Sequence, residues 1–348
     1  MNAFQSQPRR VSVGLAAVTS LALAASGLAA ETPRVHMIST GGTIAGGPAG
    51  PLNAANLLER APEIAKRADV TFEDFSNIDS SRMTPELQLK LAKRVREIFE
   101  KDKALEGIVI THGTDSLEES AFALDLLVDS DRPVVFAAAQ RPPREADSDG
   151  PRNLLNAVRV AAAPVSRGMG VMVTLNSEIS GAHDVRKTHS IALDAFRSPG
   201  VGPLGYIDGD SVIFTARPSR RVSIPAETVE PKVDLLTLVA GSDARLIDAA
   251  VASGARGLVI ETFGRGNVPE RAMEGVARAR KAGIPVVFTT RARGGRVEVD
   301  AEGKALGVIG AEDLDGLKAR MVLVLTLPIT KDPAALQGYY DRLSGLTR

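Results

Sequence analysis

The stretch Val35-His36-Met37-Ile38-Ser39-Thr40-Gly41-Gly42-Thr43-Ile44-Ala45-Gly46 decides the fold. Its opening residues read as a strand buried on both faces, and the glycine pair that follows turns the chain sharply. The pattern returns at Gly107-Ile108-Val109-Ile110, which runs into Thr111-His112-Gly113-Thr114-Asp115-Ser116-Leu117-Glu118-Glu119. In open α/β sheets, ligands bind beyond the carboxyl ends of parallel strands. Two hydroxyl-bearing, glycine-supported turns in such places predict one site faced by two threonines, Thr43 and Thr114, both candidate nucleophiles.

Working outward, apolar runs alternate with amphipathic ones, the pattern of an α/β protein. Nearly continuous β-branched and leucine runs predict further strands at Pro133 to Phe136, Gly170 to Thr174, Leu235 to Val239, Gly257 to Ile260, Pro285 to Phe288 and Met321 to Leu325. Thr84-Pro85-Glu86 supplies a cap and a first-turn proline, and Leu87, Leu91, Val95 and Ile98 then share a helix face. Other helices are expected at Asn153 to Ala162, Asp243 to Ala252, Glu270 to Lys281 and Pro333 to Leu343. Ser116-Leu117-Glu118-Glu119 reads as a capping box, with Leu117, Ala121, Leu124 and Val128 on the inner face of its helix. From Arg217 to Val233 the periodicity fails and Pro218, Pro225 and Pro231 accumulate, which marks a domain boundary.

Residues 1–30 resemble an export signal: Arg9-Arg10, an apolar stretch from Val11 to Ala25, then Ser26-Gly27-Leu28-Ala29-Ala30. The apolar core is shorter than the ~20 residues a spanning helix needs, so cleavage near Ala29 or Ala30 is expected rather than a retained anchor. The expected organisation is a signal at 1–30, a catalytic domain at 31–217, a linker at 218–232 and a smaller α/β domain at 233–348. The remaining chain of about 318 residues exceeds one typical domain, consistent with two. The 42 basic residues match the 42 acidic ones, and loss of Arg9 and Arg10 leaves 40 against 42, so no electrostatic footprint for nucleic acid exists. Cysteine is absent, so covalent chemistry falls to oxygen or nitrogen.

Each motif has a plain structural reading beside the chemical one. Gly41, Gly42, Gly46 and Gly47 match neither a dinucleotide fingerprint nor a P-loop, and on this segment alone two readings stay open: a tight turn with φ > 0, or backbone donors for an oxyanion. Capping accounts for Ser116 and Glu119 but leaves Thr114 and Asp115, a hydroxyl beside a carboxylate at a helix start, free for binding or activation. His183-Asp184-Val185-Arg186-Lys187-Thr188-His189 reads either as solvated surface or as the source of a basic lysine. His36, His112, His183 and His189 lack metal-site spacing, and no G-x-S-x-G elbow occurs.

Taken together, these segments resemble the bacterial L-asparaginase/glutaminase family of the exported, type II kind, from about Val35 to Asp341. Thr40 to Gly46 and Thr111 to Asp115 correspond to its two threonine signatures. Asp79-Ser80-Ser81-Arg82-Met83-Thr84, Ala139-Gln140-Arg141-Pro142, Asp149-Gly150-Pro151-Arg152-Asn153-Leu154, Asp184-Val185-Arg186-Lys187-Thr188 and Gly202-Pro203-Leu204-Gly205-Tyr206 support the match. The resemblance implies a two-domain α/β fold with a larger, mainly parallel N-terminal sheet, and a cofactor-free threonine amidohydrolase acting through an acyl-enzyme. Thr43 would attack, and Thr114, Asp115 and Lys187 would form the activating set. Ser80 and Ser81 would hold the substrate α-carboxylate, Asp115 beside Thr114 would read its α-amino group, and Asn267 would lie near the site. Glu298 would correspond to an acidic residue lent by a neighbouring subunit, in the homotetramer that the family implies.

One departure stands out. Family members carry a mobile loop with a tyrosine after the first signature, whereas here Gly46-Gly47-Pro48-Ala49-Gly50-Pro51-Leu52 runs into the next helix and the first tyrosine is Tyr206. Lids exclude water and complete sites. The leading expectation is hydrolysis of L-asparagine, with L-glutamine as a second substrate, by a periplasmic or secreted enzyme with no membrane or nucleic-acid partner. The short loop keeps two alternatives open: a degenerate amino-acid binding protein, or an amidase for a larger amide.

Overall fold

The computed structural model describes residues 31–47, 50–218 and 220–345, so the expected signal at 1–30 lies outside the described residues. Eight strands form one sheet in the spatial order Ser211–Phe214, Gly205–Asp208, Glu178–Gly181, Val171–Leu175, Val134–Ala137, Leu105–Thr111, Arg34–Ser39 and Asp69–Asp74. The five from Val171–Leu175 onward are parallel; the other three attach antiparallel. Numbered along the chain, the parallel strands run 2-1-3-4-5, so the order reverses between Arg34–Ser39 and Leu105–Thr111. A crevice opens at such a reversal. Ser39 pairs in register with Thr111, so the two threonine-bearing turns leave the sheet side by side.

A second, wholly parallel sheet runs Val233–Thr237, Gly257–Thr262, Val286–Thr290, Ile309–Gly310. The mixed α/β, two-domain architecture is the one expected. No helix or strand occurs among the described residues between Phe214 and Val233.

Three apolar cores hold these layers. The largest joins helices Pro85–Lys101, Leu117–Leu127 and Gly316–Thr326 to both sheets, with Ile108, Phe122, Phe136, Val259, Val287 and Leu323 inside it. Helix Gly150–Ala162 covers the opposite face of the large sheet through Leu154 and Val158 against Met37 and Val109. Helices Arg245–Ala252 and Glu270–Lys281 cover the outer face of the small sheet through Ile247, Met273 and Phe288. Each such side chain, fully buried, contributes about 1.5–3 kcal/mol.

Two local expectations are overturned. Met321 to Leu325 is not a strand but lies within the helix Gly316–Thr326, opened by Asp315, whose Oδ1 accepts the Lys318 N–H at 2.9 Å. That helix is packed between two layers and nearly every residue is buried, so it has no polar face to betray a helical period. The capping box at Ser116 does not form either. Helix Leu117–Leu127 begins where expected, but the Ser116 hydroxyl donates to the Ser80 carbonyl at 2.6 Å, and Glu119 faces Arg320 at 4.0 Å. A loop carbonyl outcompetes the helix's own amides.

Candidate active site

The first turn is built by close backbone approach. Thr40 ties the strands Arg34–Ser39 and Leu105–Thr111 together, its N–H and hydroxyl both donating to the Thr111 carbonyl at 3.1 and 2.8 Å. Gly41 and Gly42 then adopt φ of 101° and 84°. A Cβ on Gly42 would stand 2.3 Å from the Gly113 Cα and nitrogen, and one on Gly41 2.6 Å from the Ile78 nitrogen, so only glycine fits. Thr43 opens a single 3-10 turn, Thr43–Ala45, closed by the Ala45 N–H on the Gly42 carbonyl. Buried Ile44 and Ala45 anchor it while Thr43 stays half-buried.

The second turn abuts the first through Gly42 against Gly113, which brings the residues just before Thr43 and Thr114 into contact. His112 is fully buried, with Nδ1 on the Gly113 carbonyl at 2.7 Å and its ring edge-on to Phe136. Burial brings its imidazole down to about 4, against the pull of the Gly113 carbonyl, so it is neutral at pH 7. Thr114 is buried, and its Oγ1 accepts from Lys187 Nζ at 2.9 Å. The same nitrogen donates to Asp115 Oδ1 at 2.9 Å. Lys187 enters from the two-residue strand Arg186–Lys187, which pairs with Phe196–Arg197. Its own N–H donates to Glu118 Oε2 at 3.2 Å. Burial pushes the Glu118 carboxyl up to about 7, countered by Lys318.

Ser80 completes this group. It is buried in the turn Ser80–Arg82; its Oγ accepts the Asp115 N–H at 3.0 Å and its carbonyl takes the Ser116 hydroxyl. Ser81, one residue on, is exposed at the rim. The Asp149 carboxylate accepts the Gln140 and Arg141 N–H groups and the Asn153 side chain, which accounts for two of the supporting motifs as one brace beyond the strand Val134–Ala137. Gly46–Gly47 pairs antiparallel with Gly50–Pro51, and the helix Ala54–Glu59 follows.

The structure thus gathers Ser80, Thr114, Asp115 and Lys187 beside the Thr43 turn. Asn267 and Glu298 are carried by connections of the smaller sheet. Asn267 closes a small turn after the strand Gly257–Thr262, the neighbouring Gly266 packs on the Glu298 carbonyl, and Glu298 pairs with Arg265 at 2.9 Å. Among the described residues no hydrogen bond joins either to the Thr114–Lys187 group. Glu118 went unnoticed in the sequence; its signal was a second carboxylate at the start of an otherwise apolar helix. Among the described residues, no three His, Asp or Glu side chains gather to hold a metal ion, and no helix is long and apolar enough to cross a membrane.

Comparison with known proteins bears on the family and the fold. The family described as Asparaginase, N-terminal matches residues 34–220, and the one described as Glutaminase/Asparaginase C-terminal domain matches residues 232–340. L-asparaginase 2 of Bacillus subtilis is 36% identical over 327 residues, covering 89% of this chain and 87% of its own. A probable periplasmic L-asparaginase of Haemophilus influenzae is 37% identical over 330 residues, 90% of this chain and 94% of that one. The crystal structure of a probable cytoplasmic L-asparaginase from Campylobacter jejuni superposes with a TM-score of 0.84 at 36% identity, over 89% of this chain and 99% of that one. Fold and relatives together define an amidohydrolase. The chain belongs to the asparaginase/glutaminase family.

Proposed function

We propose that this chain hydrolyses the side-chain amide of L-asparagine, and of L-glutamine as a second substrate, to the acid and ammonia through an acyl-threonine. The observation that carries the reading is Lys187 Nζ shared between Thr114 Oγ1 and Asp115 Oδ1 at the sheet's switch point, against the turn that holds Thr43. In this reading Thr43 Oγ1 adds to the amide carbon while its proton passes by way of the Thr114–Lys187 pair to the leaving nitrogen, and turn N–H groups hold the resulting oxyanion. The C–N bond then breaks and ammonia departs with a proton. Water, deprotonated through Thr114 and Lys187, cleaves the ester and returns the proton to Thr43. Ser80 and Ser81 receive the α-carboxylate, and Asp115 the α-amino group.

Three further parts belong to the same reading. Residues 1–30 direct export, placing the enzyme in the periplasm or outside the cell, and the domains divide at 218–232. Asn267 and Glu298, which make no hydrogen bond to the group among the described residues, complete the site of a neighbouring copy in a homotetramer, which light scattering tests directly. The short glycine hairpin takes the place of a tyrosine-bearing lid, which favours admission of larger amides.

Ammonia release from asparagine by the purified chain, with Thr114→Ala as control, tests the reaction. Turnover well above the control is expected; stoichiometric aspartate binding without turnover would leave a binding protein instead. A panel of larger amides reads the consequence of the short hairpin.

A further inference from the structure

The group in the site is held from behind by a charge that the proposed chemistry does not use. Lys318 lies in the helix Gly316–Thr326 of the C-terminal domain and is only 2% exposed. Its Nζ donates to the His183 carbonyl at 2.6 Å and to the Val185 carbonyl at 2.8 Å. Both carbonyls belong to the segment that delivers Lys187. The remaining side of the ammonium faces Asp315 Oδ2 at 3.9 Å and the ring of Phe122 at 5.8 Å.

The same segment is gripped at two more points. Arg186 Nε pairs with Asp315 Oδ2 at 2.9 Å, and the Lys187 N–H sits on Glu118. Residues 183, 185, 186 and 187 are therefore all bound to a polar cluster formed by the starts of two helices, one from each domain. Burying an ammonium costs several kcal/mol unless partners compensate. Two buried carbonyls could be satisfied more cheaply by a neutral amide or a water. What a buried lysine adds is two fixed donors on one atom that cannot move without stranding a charge.

We propose that Lys318 is a positioning residue for amide hydrolysis: from the C-terminal domain it fixes the 183–187 segment so that Lys187 Nζ stays on Thr114 Oγ1. This rests on the reading above, in which Lys187 serves the reaction. Burial pulls the Lys318 ammonium below its usual range, and Asp315, Glu118 and Asp184 pull it back while Arg186 opposes them.

Lys318→Met removes both donors at similar volume, and Lys318→Arg keeps charge while changing donor geometry. A displacement of about 1 Å in a catalytic group costs on the order of a hundredfold in rate. For Lys318→Met the expected result is a kcat about ten- to a hundredfold lower per folded molecule, KM for asparagine within about threefold, and a moved midpoint in the kcat pH profile. A merely structural lysine would lower the melting temperature and leave those three unchanged. A crystal structure of the variant should show Lys187 Nζ beyond hydrogen-bond reach of Thr114 Oγ1. Should the Met variant not fold, the Arg variant decides by the same readouts, with a smaller loss of kcat. A folded variant with wild-type kcat and the 2.9 Å contact intact would overturn the proposal. If the unaltered chain does not turn over asparagine, the proposed reaction fails, and the Lys187–Thr114 distance in the variant still decides whether Lys318 holds that lysine.

Discussion

Lys187 Nζ stands 2.9 Å from Thr114 Oγ1 although the two are 73 positions apart in the chain. The hydroxyl comes from the loop after the strand Leu105–Thr111, and the nitrogen from a separate short antiparallel pair that follows the strand Glu178–Gly181 in the chain. Replacing Lys187 by Met should lower kcat by about 10²–10⁴, the usual weight of a proton-transfer group. Lys187→Arg should lose nearly as much, because a guanidinium stays protonated and cannot serve as a base. The melting temperature should move little, since the Lys187–Asp115 pair has its carboxylate largely in water. Ammonia release alongside thermal melts reads both effects.

The contact between Gly42 and Gly113 makes a second, opposite kind of prediction. Gly42→Ala puts a methyl 2.3 Å from backbone atoms at a φ of 84°. The backbone conformation alone costs about 1–3 kcal/mol, and the clash forces the two turns apart in addition. Stability and activity should therefore fall together. A variant with a wild-type denaturation midpoint would show that the turns are not packed as described.

What was legible in the sequence follows from these same contacts. Buried strands are mostly apolar, and a glycine-bearing turn follows each, with Gly41 and Gly42 at positive φ after the first, so Arg34–Ser39, Leu105–Thr111 and their turns stood out. The edge strand Asp69–Asp74 carries mostly exposed polar residues and left no such trace. The strand Glu178–Gly181 was signalled only by its hairpin turn, where Asn176 and Ser177 hold φ of 49° and 62°. The helix Gly316–Thr326 misled because burial on every side erases amphipathic period, and its one charged interior residue, Lys318, was the clue that it is not a strand core. Ser116 misled for a different reason: local pattern foretells a cap, but a carbonyl from residue 80 is a tertiary fact.

Glu118 gives stability a pH dependence of known sign. Its carboxyl is raised from 4.5 to about 7 in the fold by burial, so the native state binds the proton more tightly than the unfolded chain. Its contribution is thus fully present below pH 4.5 and is lost as pH rises through about 7. The whole effect is at most about 3–4 kcal/mol, because each pKa unit is worth about 1.4 kcal/mol. Glu118→Gln, which stays neutral, should be close to wild type near pH 4.5 and gain relative stability toward pH 8. Urea denaturation of both proteins across that range measures the difference, and parallel curves would count against the buried, proton-holding carboxylate.

Asp149 supplies the last test, one directed at the scaffold rather than the chemistry. Its two oxygens accept the Gln140 and Arg141 N–H groups at 3.1 and 2.9 Å and the Asn153 amide at 2.9 Å. Asn153 in turn donates to the Ala138 carbonyl, so one carboxylate joins the turn after the strand Val134–Ala137 to the first turn of the helix Gly150–Ala162. Asp149→Ala strands three donors in a part-buried place, and each unsatisfied group costs about 1–3 kcal/mol when water cannot reach it. A loss of roughly 2–4 kcal/mol is expected, since some of these donors regain water. Asp149→Asn keeps one acceptor and should lose less. Neither residue touches the Thr114–Lys187 group, so kcat per folded molecule should stay near wild type in both. A Asp149→Ala protein that keeps its denaturation midpoint but loses turnover would move Asp149 from brace to participant.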